Sequence, residues 1–285
     1  VILVPRQKKP GVPGQKKPGL TLSSISDLAY KEHKRHIRVE EIMSREVVTT
    51  TLGTLMSDAA KAMGERHIGS LIVMKYGTPV AIVTERDLLT KVLADGLNLE
   101  TTTVEEVMSY PLIRICPTTE IREAARTMIR RKGRLAVFEC GKMTGIIAAS
   151  DLIREMPDAP ETSLNVEDYM TKRVVSVDAK ETIDSVAHIM GSERIGSVIV
   201  NREGKPSGIF TERDLLSKFL MKGKSLRTTV GRAISSPLKT APSGISIHAA
   251  AKIMAAGHIR RLPLMKKGEI TGIITARDLV EAYAK

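Results

Sequence analysis

Apolar and polar positions in the first third of the chain follow two periods in turn. Residues 47–50 form a short β-branched run, and Met56, Ala59, Ala60 and Met63 then fall at helical spacing, which makes one apolar face. Residues 70–74 and 80–83 are apolar runs separated by Lys75-Tyr76-Gly77-Thr78-Pro79, a turn-forming stretch that predicts a hairpin. A final helix is predicted from about Glu85 to Ala94, ending at Gly96, where a left-handed cap is expected. The predicted order is strand, helix, strand, strand, helix. The same course recurs further on and ends at Gly223.

Four such units fill most of the chain. The first and third close on Ile82-Val83-Thr84-Glu85-Arg86-Asp87 and Ile209-Phe210-Thr211-Glu212-Arg213-Asp214, the fourth on Ile273-Ile274-Thr275-Ala276-Arg277-Asp278. The second is degraded to Ile146-Ile147-Ala148-Ala149-Ser150-Asp151. Residues 39–96 lie over 166–223 without a gap at a constant offset of 127, which carries Ile68-Gly69-Ser70 onto Ile195-Gly196-Ser197 and Lys91 onto Lys218. The second and fourth units align more loosely, through Ser109-Tyr110-Pro111-Leu112 with Ser235-Ser236-Pro237-Leu238 and Met128 with Met254. A period of about sixty residues nested in a longer one describes two tandem copies of a two-unit module, preceded by a tail.

Composition narrows the class. A length of 285 residues and 42% hydrophobic content are enough to bury two ordinary cores. No apolar run approaches the roughly 18 residues of a membrane helix, and Val1-Ile2-Leu3-Val4 is too short for a signal-peptide core. A soluble cytoplasmic protein without a membrane partner is therefore expected. Cys116 and Cys140 match no zinc spacing and are expected to be free thiols. The six histidines show no metal pattern, and no phosphate loop or nucleophile–base pair stands out, so no catalytic or metal site is assigned.

The motif series (Met-Ser/Thr, β-branched strand, Ala/Met helix, Ile-Gly-Ser strand, Gly-Ile-x-Thr-x-x-Asp) resembles that of CBS domains, and each pair of units resembles a Bateman module. The resemblance spans about residues 39–285. It implies an α/β (α+β) fold of four CBS repeats at 39–100, 101–160, 161–226 and 227–285, after a basic tail and short helix at 1–38. Four units in one chain are similar to the gamma regulatory subunit of AMP-activated kinase and its stand-alone archaeal relatives. In such families paired units form clefts for AMP, ADP, ATP or related adenosyl compounds, and no chemistry is performed.

The Thr-x-x-Asp stretch has two readings. A Thr followed three residues later by an acid, at the start of an apolar helix, resembles a capping box, with the acid also favoured by the helix dipole. The same turn offers an anion free N–H groups, while the hydroxyl and neighbouring Arg can hold phosphate and the carboxylate can accept both hydroxyls of a ribose. Within the CBS resemblance the second reading is favoured, so the candidate contacts are Thr84, Arg86 and Asp87, then Thr211, Arg213 and Asp214, then Thr275, Arg277 and Asp278. Asp is expected on ribose and Thr near phosphate. In the second repeat only Asp151 survives, and its cleft is expected to be empty or weak. The family's basic residue before the second strand corresponds to Arg134 and to Arg260-Arg261, where the odd repeats carry Gly69 and Gly196. Those glycines either admit a flat base or relieve crowding at a helix–strand corner.

The tail is the second distinctive feature. Residues 1–38 carry nine cations (Arg6, Lys8, Lys9, Lys16, Lys17, Lys31, Lys34, Arg35 and Arg38) against Asp27 and Glu32, or +7 of the chain's +12. Within it Gln7-Lys8-Lys9-Pro10-Gly11 recurs as Gln15-Lys16-Lys17-Pro18-Gly19. Pro and Gly at this density do not make a packed element. A solvated leader is one reading. Paired lysines between Pro-Gly turns also resemble the extensions that ribosomal proteins thread into ribosomal RNA, where charge neutralises phosphate. Body and tail together are similar to archaeal CBS-domain factors that dock on ribosomal subunits. The expected function is a non-enzymatic, hibernation-type inhibitor of translation that binds adenine nucleotides, as a monomer or homodimer. The alternative is a gamma-subunit-like energy sensor that regulates a kinase or other enzyme through protein contacts.

Overall fold

The computed structural model describes residues 36–155 and 164–285. Of the tail cations only Arg38 falls within them; Arg6, Lys8, Lys9, Lys16, Lys17, Lys31, Lys34 and Arg35 lie outside the described residues.

Each repeat forms one three-stranded sheet. In the first, β1 (Thr49–Thr51) runs parallel to β2 (Ser70–Lys75), which pairs antiparallel with β3 (Thr78–Thr84). The pattern recurs in β4 (Arg114–Ile115), β5 (Leu135–Glu139) and β6 (Lys142–Ile147), and in β7 (Ser176–Asp178), β8 (Ser197–Arg202) and β9 (Lys205–Thr211). It closes with β10 (Ala241–Pro242), β11 (Arg261–Lys266) and β12 (Glu269–Thr275). A helix crosses between the two parallel strands of every sheet: Met56–Glu65, Ile121–Arg131, Ile183–Ser192 and Ile247–Ala256. Met56, Ala59, Ala60 and Met63, the stripe expected from spacing, are all buried.

The hairpins are tighter than the sequence predicts. Strand pairing runs through Lys75 and Thr78, so only Tyr76 and Gly77 turn, with φ of 49° and 76°. Cys140-Gly141, Glu203-Gly204 and Lys267-Gly268 do the same. Two successive positive φ values give a turn whose twist matches that of the flanking strands. Gly96 and Gly223 take the expected left-handed conformation, at φ 67° and 55°. The closing helix of the first repeat differs from expectation: one α turn, Glu85–Asp87, opens into a π segment, Leu88–Leu93. This widened stretch packs on helix Ile183–Ser192 at Gly191, where a Cβ would sit 2.8 Å from the Leu89 carbonyl oxygen.

Like repeats pack on like. Leu216 of the third repeat belongs to the core of the first, and Leu89 of the first to the core of the third. The second and fourth repeats share one continuous core, which joins Ile121, Met128 and Leu152 to Ile247, Met254 and Leu279. Consecutive repeats meet through their leading segments, which cross over, and in the first pair also through a small cluster of Ile72, Leu112 and Ala136. Helix Val39–Ile42 packs on the second repeat, with Val39 N–H donating to the Thr119 carbonyl at 2.8 Å, and Val104–Val107 packs on the first. Ser44 bridges to Ile146, Ser109 to Ile82, Thr171 to Ile273 and Ser235 to Ile209. Ile37, within the stretch read as tail, is 5% exposed and belongs to the shared core of repeats two and four. Among the described residues no helix is long and apolar enough to cross a membrane. Cys116 and Cys140 are unpaired and exposed.

Candidate functional site

At each strand-to-helix junction the motif folds on itself. Thr84 Oγ1 donates to Asp87 Oδ2 at 2.6 Å and accepts from the Asp87 N–H at 3.2 Å, while the Thr84 N–H donates to the same Oδ2 at 2.9 Å. The capping box is thus present, as it is at Thr211–Asp214 and Thr275–Asp278. The second carboxylate oxygen differs between copies. Asp87 Oδ1 accepts from Lys91 Nζ at 2.7 Å and Ser109 Oγ at 3.1 Å, and Asp214 Oδ1 from Lys218 Nζ at 2.6 Å and Ser235 Oγ at 3.3 Å. Asp278 Oδ1 has no such partner among the described residues, because Ala282 stands where Lys91 and Lys218 stand. Burial raises the Asp278 carboxyl above its ordinary range, and the bonds from Thr275 only partly offset it. In the second repeat Asp151 caps the Ala148 N–H at 2.9 Å and lies 3.6 Å from Arg154.

The four junctions converge on a ring of charge. Glu85 lies 3.7 Å from Arg134 of the second repeat and accepts from Arg260 of the fourth at 3.2 Å. Glu212 accepts from Arg261 of the fourth repeat at 2.8 Å and from Arg86 of the first at 3.2 Å. Both carboxylates are buried, at 8% and 5% exposure. Glu85 keeps one oxygen, Oε2, buried without a hydrogen bond among the described residues. Burial pushes Glu212 upward, but Arg261 and Arg86 outweigh it and hold the group below its ordinary value. Burial also lowers Arg134 and Arg260, with Glu85 opposing; guanidinium groups stay charged regardless.

The glycines belong to this ring. A Cβ at Gly69 would lie 2.6 Å from Arg134 Nη2 and 2.7 Å from Glu85 Oε2, and one at Gly196 would overlap the Arg261 guanidinium. In this structure the space beside each glycine holds an Arg–Glu pair. An alternation in the sequence underlies it. Ser70 and Ser197 open β2 and β8 opposite Thr84 and Thr211, while Arg261 opens β11 opposite Thr275, with Arg134 just ahead of β5 in the matching place. Glu85 and Glu212 follow the odd threonines, whereas the even repeats carry Ala149 and Ala276. Sequence reasoning missed both glutamates, although this odd–even complementarity was there to find them.

The ring borders a central cavity of about 1150 Å³ lined by residues of all four repeats. Thr84, Arg86, Asp87, Arg134, Arg260, Arg261, Thr275, Arg277 and Asp278 line it; Asp151, Thr211, Arg213 and Asp214 do not. Arg213 and Arg277 are exposed and have no ion-pair partner among the described residues. Four guanidiniums against two carboxylates leave the ring net positive. Among the described residues no group of three or more His, Cys, Asp or Glu side chains is placed to hold a metal ion.

Comparison with known proteins agrees with this architecture. The CBS domain family model matches residues 39–94, 104–158, 166–220 and 230–285. The chain is 30% identical over 268 residues to the uncharacterized protein MJ1404 of Methanocaldococcus jannaschii, covering 86% of this chain and 62% of that protein's length. The crystal structure of MJ1225 from the same organism, described as a proposed archaeal homologue of g-AMPK, superposes with a TM-score of 0.73 at 23% identity, covering 87% of this chain and 100% of MJ1225. A conserved Pyrococcus horikoshii protein superposes with a TM-score of 0.60 at 21% identity, over 87% of this chain and 100% of that one. With every repeat matched in turn, and each folded into the same three-stranded unit, the chain belongs to the CBS-domain family.

Proposed function

We propose that this protein is a non-enzymatic regulator that binds adenine nucleotides in clefts opening on its central cavity. The cavity carries the reading: about 1150 Å³, bordered by Arg86, Arg134, Arg260 and Arg261 against Glu85 and Glu212. Excess guanidinium suits a phosphate chain. Apolar wall residues such as Ile82, Leu112, Val174 and Ile273 suit the face of a base. Titration calorimetry with AMP, ADP and ATP tests it. Saturable heat from at least one of them is expected. No heat from any of the three at concentrations up to about 1 mM, which bounds binding near 4 kcal/mol, would overturn it.

A second reading, that the regulator docks on ribosomal subunits and inhibits translation, is favoured by where the basic tail joins the fold. Residues 36–38 lie at the start of helix Ile121–Arg131: the Ile121 N–H donates to the Ile37 carbonyl at 3.0 Å, and His36 pairs with Glu120 at 3.3 Å. That helix exposes Arg122, Arg126, Arg130 and Arg131. The described end of that stretch, residues 36–38, therefore lies beside another basic surface, and a cationic segment joined there suits an RNA phosphate backbone. Co-sedimentation with ribosomal subunits, with and without residues 1–38, is expected to show tail-dependent, salt-sensitive pelleting. If neither form pellets, the gamma-subunit-like sensor is the better reading, in line with the description given to MJ1225.

A further inference from the structure

The Thr-x-x-Asp clefts differ in what each carboxylate already holds. Asp87 and Asp214 have both oxygens engaged, Oδ2 by the Thr hydroxyl and N–H and Oδ1 by Lys91 or Lys218 together with a serine. A ribose seeking the same carboxylate must displace an ammonium bound at 2.7 or 2.6 Å. Asp278 has one oxygen fixed by Thr275, at 2.7 and 2.8 Å, and the other without a hydrogen bond among the described residues. Asp87 and Asp278 line the cavity, whereas Asp151 and Asp214 do not.

The surroundings of Asp278 complete a site. The Thr171 N–H donates to the Ile273 carbonyl at 2.9 Å, and the Ile199 N–H to the Val175 carbonyl at 3.0 Å. Residues 171–175 therefore span from β12 to β8, which sets Val174 and Val175 as an apolar wall along the strand that leads to Asp278. Arg277, exposed and without an ion-pair partner among the described residues, sits on the same first helical turn.

Resting on the nucleotide reading above, in which the family resemblance puts each motif Asp on ribose, we propose that the fourth-repeat cleft is the one high-affinity site among the Thr-x-x-Asp clefts, because its carboxylate alone keeps an oxygen clear of a lysine. Lys91 and Lys218 act as built-in competitors that hold the first and third carboxylates closed. The order of affinity among the three repeats that keep Thr-x-x-Asp is then set by the residue four places after the Asp: Lys91, Lys218 or Ala282.

Calorimetric titration of the full chain with AMP tests this. One nucleotide per chain is expected. Asp278→Asn turns the free acceptor into an amide donor while its remaining oxygen can still cap the turn, so affinity should fall about ten- to a hundred-fold. The thermal midpoint without ligand should not fall, which separates a binding role from a structural one. 2′-Deoxy-AMP should bind more weakly than AMP to the unmodified chain, and the difference should vanish in Asp278→Asn. Lys91→Ala should add a second binding event. Two or more equal sites in the unmodified chain, or unchanged AMP affinity in Asp278→Asn, would overturn the assignment while leaving the nucleotide reading intact. Absence of binding by AMP, ADP and ATP would remove both.

Discussion

Gly196→Ala separates two explanations of the odd-repeat glycines. The new Cβ would overlap the Arg261 guanidinium and stand 2.8 Å from Glu212 Oε2. Arg261 must withdraw, and its 2.8 Å bond to a carboxylate only 5% exposed is lost. A hydrogen bond to a charged group is worth about 1.5–3 kcal/mol, and removing one partner of a buried pair costs about 3–5 kcal/mol. Arg86 remains on Glu212 at 3.2 Å and keeps the loss toward the lower figure, about 2–3 kcal/mol. Gly196 does not have a positive φ, so alanine also returns about 0.4–1 kcal/mol by restricting the unfolded chain. The net cost expected from urea unfolding is about 1–2.6 kcal/mol. In an Arg261→Ala background the bond is already gone, and Gly196→Ala should cost less than about 1 kcal/mol. If the two changes instead add to within about 0.5 kcal/mol, the glycine is not there for the arginine, and the ring argument fails.

Leu89→Ala should destabilise by about 2–5 kcal/mol, because this side chain, 1% exposed, lies in the core of the third repeat. Urea denaturation followed by signals from both odd repeats should show them weakened together; a change confined to the first would deny the shared core. Glu212 is held below its ordinary value, so its contribution is present above the unfolded carboxylate pKa and lost as pH falls through the folded one. The acid limb of a stability–pH profile should therefore move to higher pH in Arg261→Ala. Asp278 has the opposite sign: its raised value means stability present at low pH that is lost as pH rises through the folded pKa, with Glu281 adding to the rise and Arg277 opposing it. Asp278→Asn should remove that loss. AMP affinity in the unmodified chain should weaken as pH falls through the raised value and become flat with pH in the variant.

Much of the fold was legible because each repeat carries local signals that agree. Met56, Ala59, Ala60 and Met63 mark a buried helical face, and the Tyr76-Gly77 pair marks a turn. What periodicity does not reveal is the partner of each face. Leu89 and Leu216 read as ordinary core positions of their own repeats, yet each lies in the other's core. The leading segments were assigned by proximity in sequence, whereas Val39 packs with repeats two and four. At the site, Thr and Asp were found through repetition. The glutamate between them is an unspecified position of the Thr-x-x-Asp pattern, and only its buried position against Arg134 or Arg261 reveals its part in the ring. Lys91 and Lys218 recur in register, but their contact with Asp87 and Asp214 also depends on the i, i+4 geometry of the folded turn.

Arg260 is where the asymmetry of the internal duplication reaches the charged ring. The second repeat has Gly133 in the corresponding place, and the Arg86–Glu212 contact has its counterpart not in Arg213–Glu85 but in Arg260–Glu85. Arg213 is thereby released from the ring and left at the surface. Two equal halves would offer an approaching partner two equivalent orientations. Displacing one guanidinium from the middle of one half to the outside makes those orientations chemically distinct. A partner that reads charge could therefore tell the two orientations apart.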